Sequence, residues 1–389
     1  MGNSRNNIFI IVVIVIILVF IPSCSGDETE DDVSDEEEVI SREDFEEDDE
    51  DEGDLLEEDY DDISLVSHPF TGRNIPDELY SRSRTVMAVI DNIGPARPQD
   101  GLMEAPIVYE VLAEGGISRL LPVYWQEIPE NIGPIRSARS YIIEIAQEYN
   151  ALLLHAGASP GGFEMLAENK VDNLDQLRQG GYYWRSSERR MPHNLYTGQE
   201  KIEDYIHSLT GQEYSPRFKY KNVTLLEDDE TRADKITIRY WQNYTVNYKF
   251  DRDNNRYERY INGFTSPHVT NEGEHITVNN IIVRYVPMEI KDSEGRLDID
   301  LSDEGEALVF IDGTVKQARW ENSEDDYTRY YEMGTNERIK LNPGRTWIQI
   351  AFESTPVDFT GFTEDEYIDQ RDEDIRDLLN GERDIDEIF

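Results

Sequence analysis

The chain has 389 residues, with 83 Asp+Glu against 37 Lys+Arg and a formal net charge of −46. This balance excludes a nucleic-acid binder, which needs a basic face to displace counterions from phosphates, and an electrostatic grip on anionic lipid. A single Cys excludes an intramolecular disulfide framework and any multi-Cys metal site.

The N-terminus reads as an address. Residues 8–21 form an apolar run of 14, short of the roughly 20 that a spanning helix needs, so the run fits a signal-peptide core. It is followed by Ile21-Pro22-Ser23-Cys24, which resembles the bacterial lipobox: an aliphatic residue, a small residue, then Cys. Residues 1–23 are therefore expected to be a lipoprotein signal peptide. Cys24 would carry the lipid that attaches the chain to the outer face of the cytoplasmic membrane. An uncleaved anchor with an incidental Cys is the competing reading. Residues 27–62 then hold 24 Asp+Glu with Arg42 as the one basic residue. Such a block repels itself and buries little, so residues 24–66 are expected to be a disordered acidic linker. Residues 63–389 still carry 59 acidic against 35 basic groups. A uniformly acidic surface stays solvated where salt screens charge, which suggests a salt-adapted, halophilic source.

Residues 85–90 (TVMAVI), 107–112 (IVYEVL) and 120–125 (LLPVYW) read as strands, with a turn at Glu114-Gly115-Gly116. Apolar residues at helical spacing predict a helix within 137–149, then a strand at 151–154 and a helix over 160–169. This order argues for an α/β domain over 67–210. Beyond it, runs at 235–241, 244–250, 256–261, 276–286, 307–311 and 346–352 are short and β-rich. Asp253-Asn254, Asn262-Gly263, Asp312-Gly313 and Asn342-Pro343-Gly344 separate them as turns, so 211–360 is expected to be mostly β. Residues 361–389 form an acidic tail.

Several words in one order give the stretch 69–355 a family resemblance. They include Ala88-Val89-Ile90-Asp91-Asn92, Ala96-Arg97-Pro98-Gln99, Ile107-Val108-Tyr109-Glu110 and Glu114-Gly115-Gly116-Ile117-Ser118-Arg119. Gly133-Pro134-Ile135-Arg136-Ser137-Ala138-Arg139, His155-Ala156-Gly157 and Pro192-His193-Asn194-Leu195-Tyr196 continue the set. Together with Pro267-His268 and Pro343-Gly344-Arg345-Thr346-Trp347-Ile348, they resemble the YerB-like lipoprotein family. The resemblance implies a two-domain extracytoplasmic lipoprotein and no particular activity, because that family is a domain of unknown function.

Candidate chemistry gathers at strand ends, where open α/β sheets bind ligands. Arg97, Arg119, Arg136 and Arg139 stand out in so acidic a chain and could hold a carboxylate or phosphate, with His155, His193 and Asn194 adding hydrogen bonds. The same Arg could instead form structural ion pairs with Asp91, Glu110 and Glu114. His155 or His193 with Asp91 or Glu110 could make a general acid–base pair. Ser159 lacks the spacing of a nucleophile elbow, although its Gly-rich surroundings raise the question. Asp251-Arg-Asp253 begins like a calcium loop but has Arg256 at the glycine position, so it reads as a hairpin turn. Tyr182-Tyr183-Trp184 could stack on a sugar or lie in a core. No P-loop, GxGxxG or HExxH occurs, and no metal or cofactor is expected. The expectation is a binding or assembly factor for an anionic cell-wall ligand or an envelope protein. The alternative is an envelope hydrolase or transferase, and the last option is a purely structural partner.

Overall fold

The computed structural model describes residues 64–366 except 81–83, 126, 169, 210–215, 223–229, 242, 323–326 and 364–365. The expected signal peptide, Cys24, nearly all of the acidic linker and most of the acidic tail lie outside the described residues.

The apolar runs of the first segment become strands β1 (Thr85–Ala88), β2 (Ile107–Leu112) and β3 (Ser118–Trp125). Every residue of these three is buried, which identifies strands covered on both faces. Helix α1 (Ser140–Glu148), strand β4 (Leu152–His155), helix α2 (Pro160–Ala167) and strand β5 (Asn173–Asp175) follow. Ser159 caps α2: its Oγ accepts from the Gly162 amide at 3.2 Å, and Pro160 takes the first turn, where its missing N–H costs nothing. Its role is thus the start of a helix, and no nucleophile elbow forms. A two-residue ladder then joins β6 (Trp184–Arg185) to β7 (Leu195–Tyr196), ahead of helix α3 (Gln199–Ser208).

The second segment is built from strands, as expected. They are β8 (Lys235–Trp241), β9 (Tyr244–Asp251), β10 (Arg256–Ile261), β11 (Thr277–Val278), β12 (Asn280–Val286) and β13 (Glu304–Ile311). They continue with β14 (Thr314–Asn322), β15 (Thr328–Glu332), β16 (Thr346–Phe352) and β17 (Val357–Thr360). Strands β14, β15 and β17 were not expected from the sequence. The turn after β9 is the hairpin expected there, and the Asp251 carboxylate accepts from Asn254 and Arg256 within it.

Both segments contribute to one eleven-stranded mixed sheet, in the order β15-β14-β13-β12-β16-β2-β3-β1-β4-β5, with Ile90–Asp91 adding to β3 off that path. Strand β16 lies between β12 and β2 and is parallel to both. Alternation sorts the core. Tyr109, Val111, Ile282 and Ile348 pack on one face with Ile142 and Ile145 of α1. Val108, Ile281, Val283 and Trp347 pack on the other with Ile236, Ile238, Val246 and Tyr248 of the second sheet, β11-β10-β9-β8-β17. The result is a helical layer, a large sheet and a smaller antiparallel sheet, stacked in that order.

Candidate functional site

The strand β1 ends at a short loop that re-enters the sheet as Ile90–Asp91, placing Asp91 beside Arg119 of β3 in the ladder. Asp91 is fully buried. Its Oδ1 lies 3.2 Å from Arg119 Nη1, and its Oδ2 lies 2.8 Å from Arg136 Nε and 2.7 Å from His193 Nδ1. One carboxylate therefore faces two guanidiniums and an imidazole. Because Oδ2 can only accept, the His193 proton sits on Nδ1 and Nε2 is left open. Neither His193 Nε2 nor the terminal nitrogens of Arg136 have a protein partner among the described residues. The Arg119 Nε is buried without a partner. Burial lowers the pKa of Arg119; Asp91 works against this, and Arg136 and Arg139 add to it.

Arg139 stands next to this cluster but is committed elsewhere. It grips Glu114 through Nε at 2.6 Å and Nη2 at 2.8 Å and donates to the carbonyls of Ser137 and Ala138. Burial alone would raise the Glu114 carboxyl, yet the Arg139 hydrogen bonds hold it below the ordinary range. Arg97 binds the next residue, Asn92, through Nε at 3.1 Å and through Nη2 to its carbonyl at 2.6 Å.

Glu110 corrects the expected acid–base pair. It is fully buried within a polar network and touches neither His155 nor His193. Asn92, Ser118 and Tyr244 donate to its Oε1, and Arg259 donates to Oε2 at 2.7 Å. Arg259 is also fully buried and lies 4.4 Å from the Trp347 ring centre. Burial works against its charge, but Glu110, Tyr244 and Tyr248 together raise Arg259 above its usual range. Burial, reinforced by Arg259, drives His268 well below its ordinary range, so this imidazole is neutral. It accepts from Arg259 at Nδ1 and donates from Nε2 to Gln99, whose amide reaches Asn92 Oδ1 at 2.9 Å. Burial also pushes the Tyr244 phenol up to about 12, and Glu110 adds to the shift.

Two more candidates are held inside the fold. His155 is fully buried, with Nδ1 2.9 Å from the Gly157 carbonyl and Nε2 3.2 Å from Asn173 Oδ1. Asn194 is buried and ties its own hairpin together, donating to Ser186 and accepting from Arg185. Tyr183 is likewise core, and Trp184 stacks on Tyr196. The residues that sequence reasoning missed are Tyr244, Arg259, His268 and Gln99. One signal was available: in Arg256–Ile261, alternation places Arg259 on the inward face with Tyr257 and Ile261.

Among the described residues, no helix is long and apolar enough to cross a membrane, and no group of three or more His, Cys, Asp or Glu could hold a metal ion.

Fold and site define a two-part protein with a mostly β C-terminal region, in which a largely buried Asp91–Arg119–Arg136–His193 cluster accompanies a buried polar network around Glu110. The N-terminal domain model of the protein family of unknown function DUF3048 matches residues 70–214, and its C-terminal domain model matches 236–348. The chain is 30% identical over 300 residues to "Putative lipoprotein YerB" of Bacillus subtilis (strain 168), covering 75% of this chain and 88% of that protein. The crystal structure of YerB protein from Bacillus subtilis aligns with a TM-score of 0.68 at 29% identity, over 75% of this chain and 99% of that one. This chain belongs to the DUF3048 family.

Proposed function

We propose that the chain is a lipid-anchored envelope protein that binds an anionic ligand or partner through Asp91, Arg119, Arg136 and His193. The observation that carries this reading is the charge imbalance around Asp91. In a chain of net charge −46, two guanidiniums and an imidazole share one buried carboxylate, and the terminal nitrogens of Arg136 keep open donors. Such donors suit a carboxylate or phosphate. The lipobox-like Ile21-Pro22-Ser23-Cys24 and the name of the Bacillus relative support anchoring at Cys24. In this reading residues 1–23 are the signal peptide, 24–66 the spacer, and 67–210 and 211–360 the two family domains, ahead of an acidic tail at 361–389. The acidic surface would reflect salt adaptation.

The test is titration calorimetry with inorganic phosphate, muropeptides and teichoic-acid fragments. A ligand should lose about tenfold or more in affinity, roughly 1.4 kcal/mol, on Arg136→Ala. Unchanged binding in a folded Arg136→Ala variant would sink the proposal.

The Asp91–His193 hydrogen bond also favours a second reading. A carboxylate that fixes Nδ1 and leaves Nε2 open is the arrangement of a general base in a hydrolase or transferase. There, His193→Ala would abolish turnover of the bound ligand and leave its affinity nearly intact.

A further inference from the structure

Six large apolar side chains are exposed among the described residues, and three of them belong to or contact the segments that carry the Asp91 cluster. Trp241, 53% exposed, lies against Gly116. A Cβ on Gly116 would come within 2.8 Å of the indole, and the positive φ of 70° also favours glycine there. Glu114, two residues earlier, holds Arg139, while Arg119 lies three residues later. Leu177, 69% exposed, lies against Gly157, whose carbonyl accepts from the Ala138 amide. The adjoining Ala156 amide donates to the Arg136 carbonyl. Met191, 67% exposed, is two residues before His193.

Trp, Met and Arg are the residue types enriched in protein interfaces. A free phosphate or single carboxylate would use the cations and leave the apolar rim in water. Charge selects the kind of chain. Residues 63–389 carry a surplus of acid, so an acidic segment is repelled over most of this surface and attracted at the Arg cluster.

We propose that the Asp91–Arg119–Arg136–His193 cluster and its rim of Leu177, Met191 and Trp241 form a docking surface for an acidic polypeptide segment in which carboxylates alternate with large apolar side chains. This rests on the anion-binding reading of the same cluster and adds the partner's class. Carboxylates pair with Arg136, and the apolar side chains cover the rim.

The experiment is fluorescence anisotropy on the full chain in detergent, with two labelled peptides of about twelve residues and equal charge. One repeats Glu-Leu-Glu-Tyr and the other Glu-Gly-Glu-Ser. The apolar peptide should bind about tenfold tighter, a difference of roughly 1.4 kcal/mol. Trp241→Ala should remove most of that preference without changing the melting temperature, and Leu177→Ser should do the same if the indole substitution disturbs packing. Arg136→Glu should abolish binding of both peptides. Equal affinities, or a preference untouched by both rim substitutions, overturn the proposal. So does Trp241-dependent binding to phosphatidylglycerol vesicles in place of peptide. If phosphate or a muropeptide binds in an Arg136-dependent way while neither peptide does, the docking surface fails and the anion site stands. If nothing binds, both fail.

Discussion

Glu110 and Arg259 lie 149 residues apart in the chain and are both fully buried, one in the large sheet and the other in the small one. Such a pair need not stabilise much as a whole, because desolvation offsets the attraction. Removing one partner is different, since it strands the other charge in the core. Arg259→Met should therefore cost about 3–5 kcal/mol, seen as a lower denaturation midpoint, and the double variant with Glu110→Gln should recover part of the loss. A single variant of near-wild-type stability would overturn this reading of the pair. At this scale the sequence was half legible. Asp91 sits at a strand end with a basic residue opposite, so its involvement could be read locally. Glu110 looks similar in sequence, but its partner arrives from the other segment, and no local pattern announces a contact at that separation.

The first hairpin, Leu65–Ser67 with Asn74–Pro76, shows how one side chain can set an element. His68 Nδ1 accepts from the amides of Phe70 and Thr71 at 3.1 and 3.2 Å, and its ring meets Trp125 edge-on at 4.6 Å. Burial pushes this imidazole down to about 4 from 6.5, and nearby Arg73 adds to the effect. The unfolded chain thus takes up the proton first. The stability that neutral His68 contributes is complete above pH 6.5 and is lost as pH falls toward 4. Denaturation midpoints of wild type and His68→Asn should converge over that range, and a constant gap would contradict the assignment. Elsewhere, element type followed from the pattern wherever runs were apolar, as in β2, which the sequence bounded at the same residues. Strand β14 escaped because Lys316, Gln317, Arg319 and Glu321 interrupt it. Its buried residues Thr314, Ala318 and Trp320 do not stand out as a run until β13 is seen beside them.

Across the whole molecule, surplus negative charge opposes compaction. Raising salt from 0.1 to 1 M shortens the screening length from about 10 to about 3 Å, so the melting temperature should rise over that range. A fall would mean that attractive pairs dominate the surface. The order of strands was not legible at all, because pairing across segments leaves no periodic trace. That order has a consequence for how the chain is made. Strand β16 lies between β12 and β2, so until Thr346 and the residues after it emerge, the large sheet lacks its middle rung. The early half exposes an open strand edge until the last tenth or so of the chain is delivered, and loop closure over such separations is slow. A chain stopped short of that strand leaves the facing edges of β12 and β2 without their shared neighbour.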